Sequence, residues 1–370
     1  MLGENITILS STHPARSGWV VDFSTMTAYP TLKPFKSFHQ QALQLVQRGM
    51  SSACALSHDA LVRTIEQDLT YINYYRLSAY WYAYRKKRQT GELTDDFKSK
   101  TYWETIRGIY MFDRRLRGMI FDAISRIEIA LRTQIAHIWA RDTRLSAPQS
   151  DTNCYNYTYT VSKIDKKTNQ QKPSDYATLL TKVDSYYKKV NDDVARHHKK
   201  VYGIKRVADL PVWVFVEYTT FGNLASLLSN GLPQTTVATI ANNFGFSDPG
   251  FFVSCVNLLN DVRNACAHQG RIWNRYWLTA KGAHYLKSPS KCFPSWQSNP
   301  LSSTGCLTFN NYQTASVLTI CYILLRTAAP QSQWKNRLTY LIANSNNPLP
   351  DMYRYLGFTN EYWHGHPLWT

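Results

Sequence analysis

Two arginine–histidine pairs in this chain share one spacing: Arg263 with His268 (Arg-Asn-Ala-Cys-Ala-His) and Arg132 with His137 (Arg-Thr-Gln-Ile-Ala-His). Both residue types suit chemistry at a phosphate. Histidine has a reference pKa of about 6.5, so near neutrality it can give or take a proton. Arginine stays charged, and its planar guanidinium matches phosphate oxygens and the charge that develops on them. Asn264 sets a further polar group beside Arg263, and Arg271 and Arg275 continue a cationic patch just downstream.

Spacing alone leaves a structural role open for both pairs. In a chain with 22 Arg and 10 His, one fixed spacing arises by chance about 0.6 times. A histidine in a last helical turn complements the helix dipole, and Asp261 is a ready partner for Arg263. Glu128 stands one turn before Arg132, the spacing of an i,i+4 ion pair. For that pair the structural role is favoured, with His137, between Ala136 and Ile138, as a core histidine. Five residues along a straight helix rotate a side chain by about 140°. Either pair therefore needs a bend, or a meeting of two segments, to act as one site.

The elements that would carry these pairs are helical. Ile106, Ile109, Leu116, Ile120, Ile124, Ile127, Leu131 and Ile138 recur at mostly three- and four-residue steps, predicting one long helix with a buried stripe. Its other faces are expected to carry Arg107, Arg114, Arg115, Arg117, Arg126 and Arg132. Ser247-Asp-Pro249 is a strong helix start, and the helix it opens, with Phe252, Val256, Leu259 and Val262, should stop near Gly270. A first helix is expected from Lys33-Pro34 to about Gly49, with Phe38, Ala42, Leu45 and Val46 on one stripe. A second carries Leu61, Ile65 and Leu69 on into the aromatic stretch from Tyr71 to Trp81 and runs out in Arg85 to Arg88.

Residues 147–174 are polar and aperiodic, as in an insertion or long loop. A basic helical piece follows, then an apolar stretch from Pro211 to Leu228 that Gly222 should break, and a helix over roughly Tyr312 to Thr327. Strand-like alternation is scarce, so the expected fold is all-α. Its organisation is expected to be a flexible arm over 1–32, an N-terminal helical region over 33–95, a helical core over 96–285 with a polar and basic insertion at about 145–210, and a C-terminal extension over 286–370.

Composition points to the partner. The 370 residues are 44% hydrophobic and 18% charged, as in folded globular chains, and carry a net charge of +17. That excess favours a polyanion, nucleic acid above all. Arg85, Lys86, Lys87, Arg88, Lys199, Lys200, Lys205, Arg206, Arg271 and Arg275 are the candidate phosphate contacts. The tyrosines and tryptophans over 71–84 could stack on bases, although aromatic residues at helical spacing are more often core.

Seven cysteines, at 54, 154, 255, 266, 292, 306 and 321, form no Cys-x-x-Cys pair. That argues against a disulfide framework and a zinc site, and for a reducing cytoplasm. His364-Gly-His366 lacks further ligands for a metal, and His197-His198 reads as part of the basic face. No signal peptide is expected from the N-terminal residues. The longest apolar run, Val317 to Leu325, is far short of a membrane helix. Neither a metal nor another cofactor is expected.

Several blocks in order resemble the Abi family of bacterial abortive-infection proteins (AbiD/AbiF type). They are Lys33-Pro34, the run from Tyr74 to Tyr80, Arg126-Ile-Glu128 with Arg132, Trp213 with Glu217 and Phe221-Gly222, Arg263-Asn264 with Ala267-His268, and Trp273-Asn274-Arg275. They cover about 33 to 275; the C-terminal hundred residues lie outside the resemblance. The resemblance implies a HEPN-like helical bundle, related to the catalytic modules of type VI CRISPR nucleases, whose active site is an Arg-x4-6-His motif. By it, Arg263, Asn264 and His268 are the catalytic set. Glu128, Arg132 and His137 form a second, less secure motif, with Thr133 where a stronger polar neighbour is expected.

The implied reaction is metal-independent RNA cleavage, in which the substrate's 2′-hydroxyl attacks the adjacent phosphate; DNA lacks that group and is not an expected substrate. One motif supplies one histidine and one arginine, so a homodimer is expected to complete the site. The family further implies a toxin of an anti-phage or RNA toxin–antitoxin system, restrained by a noncoding RNA. The competing class is a non-catalytic RNA-binding or RNA-scaffolded regulatory protein whose Arg/His pairs are structural.

Overall fold

The long stripe of isoleucines forms the axis of the molecule. The computed structural model describes residues 34–146, 163–164, 171–172, 175–277, 314–344, 351–358, 362–365 and 369. The N-terminal arm and most of the 147–174 segment lie outside them, as do Cys154, Cys292, Cys306 and His366. The fold is all-α, with two small two-stranded antiparallel sheets among the described residues.

The chain enters through α1 (Phe38–Gln47), which starts on a Ser37/Gln40 capping box. Gly49, at φ +97°, ends it: the Gly49 and Met50 amides donate back to the carbonyls of Val46 and Leu45. The single helix expected to run from Leu61 into the aromatic stretch is two helices, α2 (His58–Tyr71) and α3 (Tyr74–Trp81). Ile72 is extended, and the Asn73 side chain accepts the Tyr75 amide at 2.8 Å, starting a new helix. A capping asparagine outcompeted a continuous apolar pattern there. The basic run does not end a helix either. It forms a hairpin strand, β1 (Arg85–Lys87), paired with β2 (Leu93–Phe97).

Next comes α4 (Trp103–Ser146), whose 44 residues span about 66 Å at 1.5 Å per residue. Every isoleucine and leucine of the expected stripe is buried. Two of the arginines expected on its outer faces turn inward instead. Arg117 pairs with Asp113 at 2.5 Å, the two side chains 4% and 0% exposed. Arg132 pairs with Glu128 at 2.6 Å and also donates to the carbonyls of Val216 (3.1 Å) and Thr219 (2.8 Å). Long cationic side chains enter a packed interior when carboxylates and carbonyls satisfy their donors. Arg132→Ala removes three such bonds and should destabilise the chain by roughly 2–3 kcal/mol, read as a lower urea midpoint. His137→Ala, on the same helix, should leave that midpoint unchanged.

Within the polar segment, β3 (Lys163–Ile164) pairs with β4 (Gln171–Lys172). Then α5 (Asp175–Lys189) and α6 (Asp193–Val201) carry the basic piece, and α7 (Val212–Phe215) and α8 (Phe221–Ser226) the apolar one. Gly222 does not break this stretch. Thr220 caps α8, and Gly222 lies inside it, where an added Cβ would meet the Asn260 side chain at 3.2 Å. Its function is close approach of helices, not interruption. Next are α9 (Gln234–Asn243) and α10 (Pro249–Ala267), the latter capped by Asp248 with Pro249 in its first turn.

Further along, α11 (Thr314–Ala328) packs along α4 and is followed by α12 (Trp334–Ala343) and α13 (Met352–Leu356). The Trp334 indole donates to the Met119 carbonyl at 2.8 Å, tying α12 to α4. Helices α3, α7, α8, α9, α10, α11 and α12 all pack on α4. It therefore carries one Arg/His motif itself and supports, beneath α10, the other.

Candidate active site at the end of helix α10

Helix α10 is buried along Phe251, Phe252, Cys255, Val256, Leu258, Leu259, Val262 and Cys266, and it ends at the surface, with Ala267 and His268 exposed. There the termination is local and well defined. His268 is the C-cap, the Gln269 amide donates to the Cys266 carbonyl, and the Gly270 amide to the Ala265 carbonyl at 2.7 Å. This is a Schellman motif. The left-handed position is taken by Gln269, at φ +57°, and not by Gly270. Gly270 is needed for space: an added Cβ would lie 3.1 Å from the Ala265 carbonyl. Because a left-handed non-glycine residue costs about 1–2 kcal/mol, Gln269→Gly should raise the unfolding midpoint. After the entropic cost of glycine, about 0.5–1 kcal/mol should remain.

The residues just beyond His268 are held by a buried cluster. The Asp113 carboxylate accepts the Tyr80 hydroxyl at 2.6 Å, the Arg117 guanidinium at 2.5 Å, and the amides of Ile272 (3.1 Å) and Trp273 (2.6 Å). Burial pushes the Asp113 carboxyl upward, against the pull of Tyr80, Arg117 and those two amides. Burial and the adjacent Asp113 also push the Tyr80 hydroxyl well above its ordinary value. Arg117 reaches further, to the Gly270 carbonyl at 3.4 Å. Around this centre Arg76 donates to the Gln269 carbonyl, Arg271 to the Ala79 carbonyl at 2.8 Å, and Thr314 to the Ile272 carbonyl at 2.7 Å. Side chains of α3, α4 and α11 thus fix the backbone on which His268 stands.

His268 itself is exposed. It lines an open cleft of about 390 Å³ with Asn73, Tyr75, Arg76, Gln269 and Arg271. Arg263 faces α4, with its guanidinium 6.0 Å from the ring centroid of Phe121 and 3.4 Å from the Asn264 side-chain oxygen. Among the described residues no hydrogen bond joins Arg263 to His268; His268 lines the cleft against α3, and Arg263 lies beside Phe121 of α4. Cys266, inside the motif, is buried, and burial followed by Asp113 pushes its thiol up to about 12. It stays protonated near neutrality and is no nucleophile. Arg275 stacks on Trp277 at 4.1 Å and donates to the Arg271 carbonyl. Burial and then Arg271 lower its pKa.

The other motif is arranged differently. Glu128 and Arg132 form the expected ion pair, and Nε and Nη2 of Arg132 also donate to the Val216 and Thr219 carbonyls before α8. His137 is exposed, not the core side chain expected from its apolar neighbours, because Ile138 and Trp139 take the buried positions.

The candidate phosphate contacts divide likewise. Lys86, Lys87, Lys200 and Lys205 are exposed. Arg85 is paired with Asp95, which also binds Arg48, while Arg88 lies 3.5 Å from Glu92 and Arg206 is paired with Asp209. Lys199 donates to the carbonyls of Tyr187 and Val190 at the end of α5, so it closes a helix instead of facing outward. In the aromatic stretch, Leu77, Tyr80 and Trp81 are core, whereas Tyr71, Tyr75 and Tyr82 are exposed.

Asp113 and Tyr80 were missed as site-forming residues, although a signal for Asp113 was present. Position 113 falls on the stripe 109, 113, 116, 120, four residues before an arginine. Among the described residues no group of three or more His, Cys, Asp or Glu gathers as metal ligands, and no helix is long and apolar enough to cross a membrane.

No curated protein and no solved structure matches the chain. The family model described as Abi-like protein matches residues 67–274, more than half of the chain. That stretch takes in α3, α4, α10 and Asp113 with its direct partners Tyr80, Arg117, Ile272 and Trp273. The chain belongs to the Abi-like protein family.

Proposed function

We propose that this Abi-like protein is a metal-independent endoribonuclease of the HEPN type, of the AbiD/AbiF kind, acting as the toxin of a bacterial abortive-infection or RNA toxin–antitoxin system in the cytoplasm. Family membership supports the association with abortive infection. The observation that carries the catalytic reading is the placement of His268. It is an exposed imidazole on a backbone clamped by buried side chains, in a cleft with Arg76 and Arg271. Tying down the backbone beneath an exposed imidazole with so many side chains is more than a helix cap requires.

His268 transfers protons between the 2′-hydroxyl, the scissile phosphate and the leaving 5′-oxygen, and Arg263 stabilises charge on the phosphate oxygens. Asn264 orients Arg263. One chain supplies one arginine and one histidine, so a two-fold dimer brings a second copy of each to the phosphate. Exposed Phe121 and Ile129 on α4, the first beside Arg263, are apolar groups for that second copy to cover. The net charge of +17 suits a bound noncoding RNA that restrains the toxin.

The test is incubation of end-labelled RNA with the purified chain in EDTA. Fragments ending in 2′,3′-cyclic phosphate are expected. Binding without cleavage at any RNA tried would sink the enzyme reading and leave a non-catalytic RNA-binding protein. That alternative draws on the absence, among the described residues, of a hydrogen bond between Arg263 and His268.

A further inference from the structure

The cleft beside His268 contains more than proton transfer at a phosphate requires. Its far wall is the start of α3, where Tyr75 stands 70% exposed. The ring is nonetheless held: it meets Tyr74 edge-on, with centroids 5.7 Å apart and planes at 79°. The Tyr74 hydroxyl in turn accepts a hydrogen bond from Arg48 at 3.2 Å, and Arg48 is paired with Asp95 on β2. An exposed ring held in this way presents a preformed face on which a base can stack. Arg76 and Arg271 each spend a donor on a backbone carbonyl across the α3–α10 junction, which orients guanidiniums that have four donors left for a ligand. The cleft, at about 390 Å³, falls in the roughly 300–1,000 Å³ range of small-ligand sites.

We propose that this cleft is a nucleotide subsite: Tyr75 stacks on an unpaired base next to the cleavage position, and Arg76 and Arg271 bind the phosphate of that nucleotide. The inference rests on the ribonuclease reading only for its account of why the subsite adjoins His268. A stacked ring reads every base through its π-face, so the subsite selects single-stranded RNA over duplex and tolerates base identity. It also fixes the strand's register, placing the next phosphate at His268.

The full-length chain is titrated with a short single-stranded oligoribonucleotide carrying 2-aminopurine and 2′-O-methylated throughout, so binding is read without cleavage. Fluorescence of the 2-aminopurine should be quenched on binding. Tyr75→Phe should keep the quench; Tyr75→Ala should lose it and weaken binding roughly 5- to 100-fold, with an unchanged thermal midpoint because the ring is exposed. Arg76→Gln should reduce the slope of log affinity against log salt by about 0.7. An unchanged quench in Tyr75→Ala, or no quench in the wild type, overturns the base assignment. An unchanged slope in Arg76→Gln overturns the phosphate assignment. Quenching with no cleavage of unmodified RNA would sink the ribonuclease reading and leave the subsite standing; cleavage without quenching would do the reverse.

Discussion

His268→Ala should reduce RNA cleavage by about 10²–10⁴-fold, the usual worth of a positioned acid–base group, while affinity for RNA stays within about twofold. The argument for so clean a separation is geometric. The imidazole is exposed and makes no hydrogen bond among the described residues, so its loss leaves no buried polar group unpaired. The backbone beneath it is held by bonds that do not involve its ring: Arg76 to the Gln269 carbonyl, Gly270 to the Ala265 carbonyl, and Asp113 to the Ile272 and Trp273 amides. In the proposed enzyme, RNA affinity is carried by arginines and lysines spread over several elements and not by the imidazole. Arg263→Ala should cost about 10²–10³-fold by removing charge stabilisation. His137→Ala should leave the rate unchanged, since its neighbour Arg132 is committed to Glu128, Val216 and Thr219. Cleavage that persists in His268→Ala would refute the assignment, and loss in His137→Ala would move the site to the other motif.

The elements behind this expectation were legible in the chain to different degrees. Periodicity located α4, because eight isoleucines and leucines at helical steps leave no other way to bury them together. Local stereochemistry located the start of α10, where Asp248 caps and Pro249 follows. Where the reading failed, a second interaction outweighed the local one. Asn73 broke an apolar run by capping a new helix, and Gly222 served helix packing on Asn260 where an interruption was expected. Arg117, expected outside, lies inside because Asp113, one turn away on the buried stripe, needs a counter-charge. The pairing of Asp113 with residues 272 and 273 joins positions some 160 apart in sequence. No local pattern encodes such a contact. The Arg/His spacing was the reverse case: it was visible at once and carried little until the helix end showed what held it.

That distant contact sets the second large effect. Asp113→Ala should destabilise the chain by at least about 3–5 kcal/mol, since removing one partner of a buried ion pair leaves the other uncompensated. Arg117, 4% exposed, would lose its carboxylate, and the Ile272 and Trp273 amides would lose their acceptor. Asp113→Asn should also be damaging, because the carboxylate accepts from Tyr80, Arg117 and two amides at once. An amide has only one accepting oxygen, and its nitrogen would face donors. The pair can be replaced more safely than broken. Arg117→Met alone strands the carboxylate, whereas Asp113→Asn with Arg117→Met removes both charges and should recover part of the loss. Urea unfolding of the four proteins gives the coupling directly. A cost below about 1 kcal/mol in Asp113→Ala would show that the cluster does not hold the segment. If it does hold it, cleavage should fall in Asp113→Asn even at temperatures where the protein remains folded. The turn from Gly270 to Trp273 would then move, and His268 with it, and displacements of about 1 Å at a catalytic group cost on the order of 10²-fold.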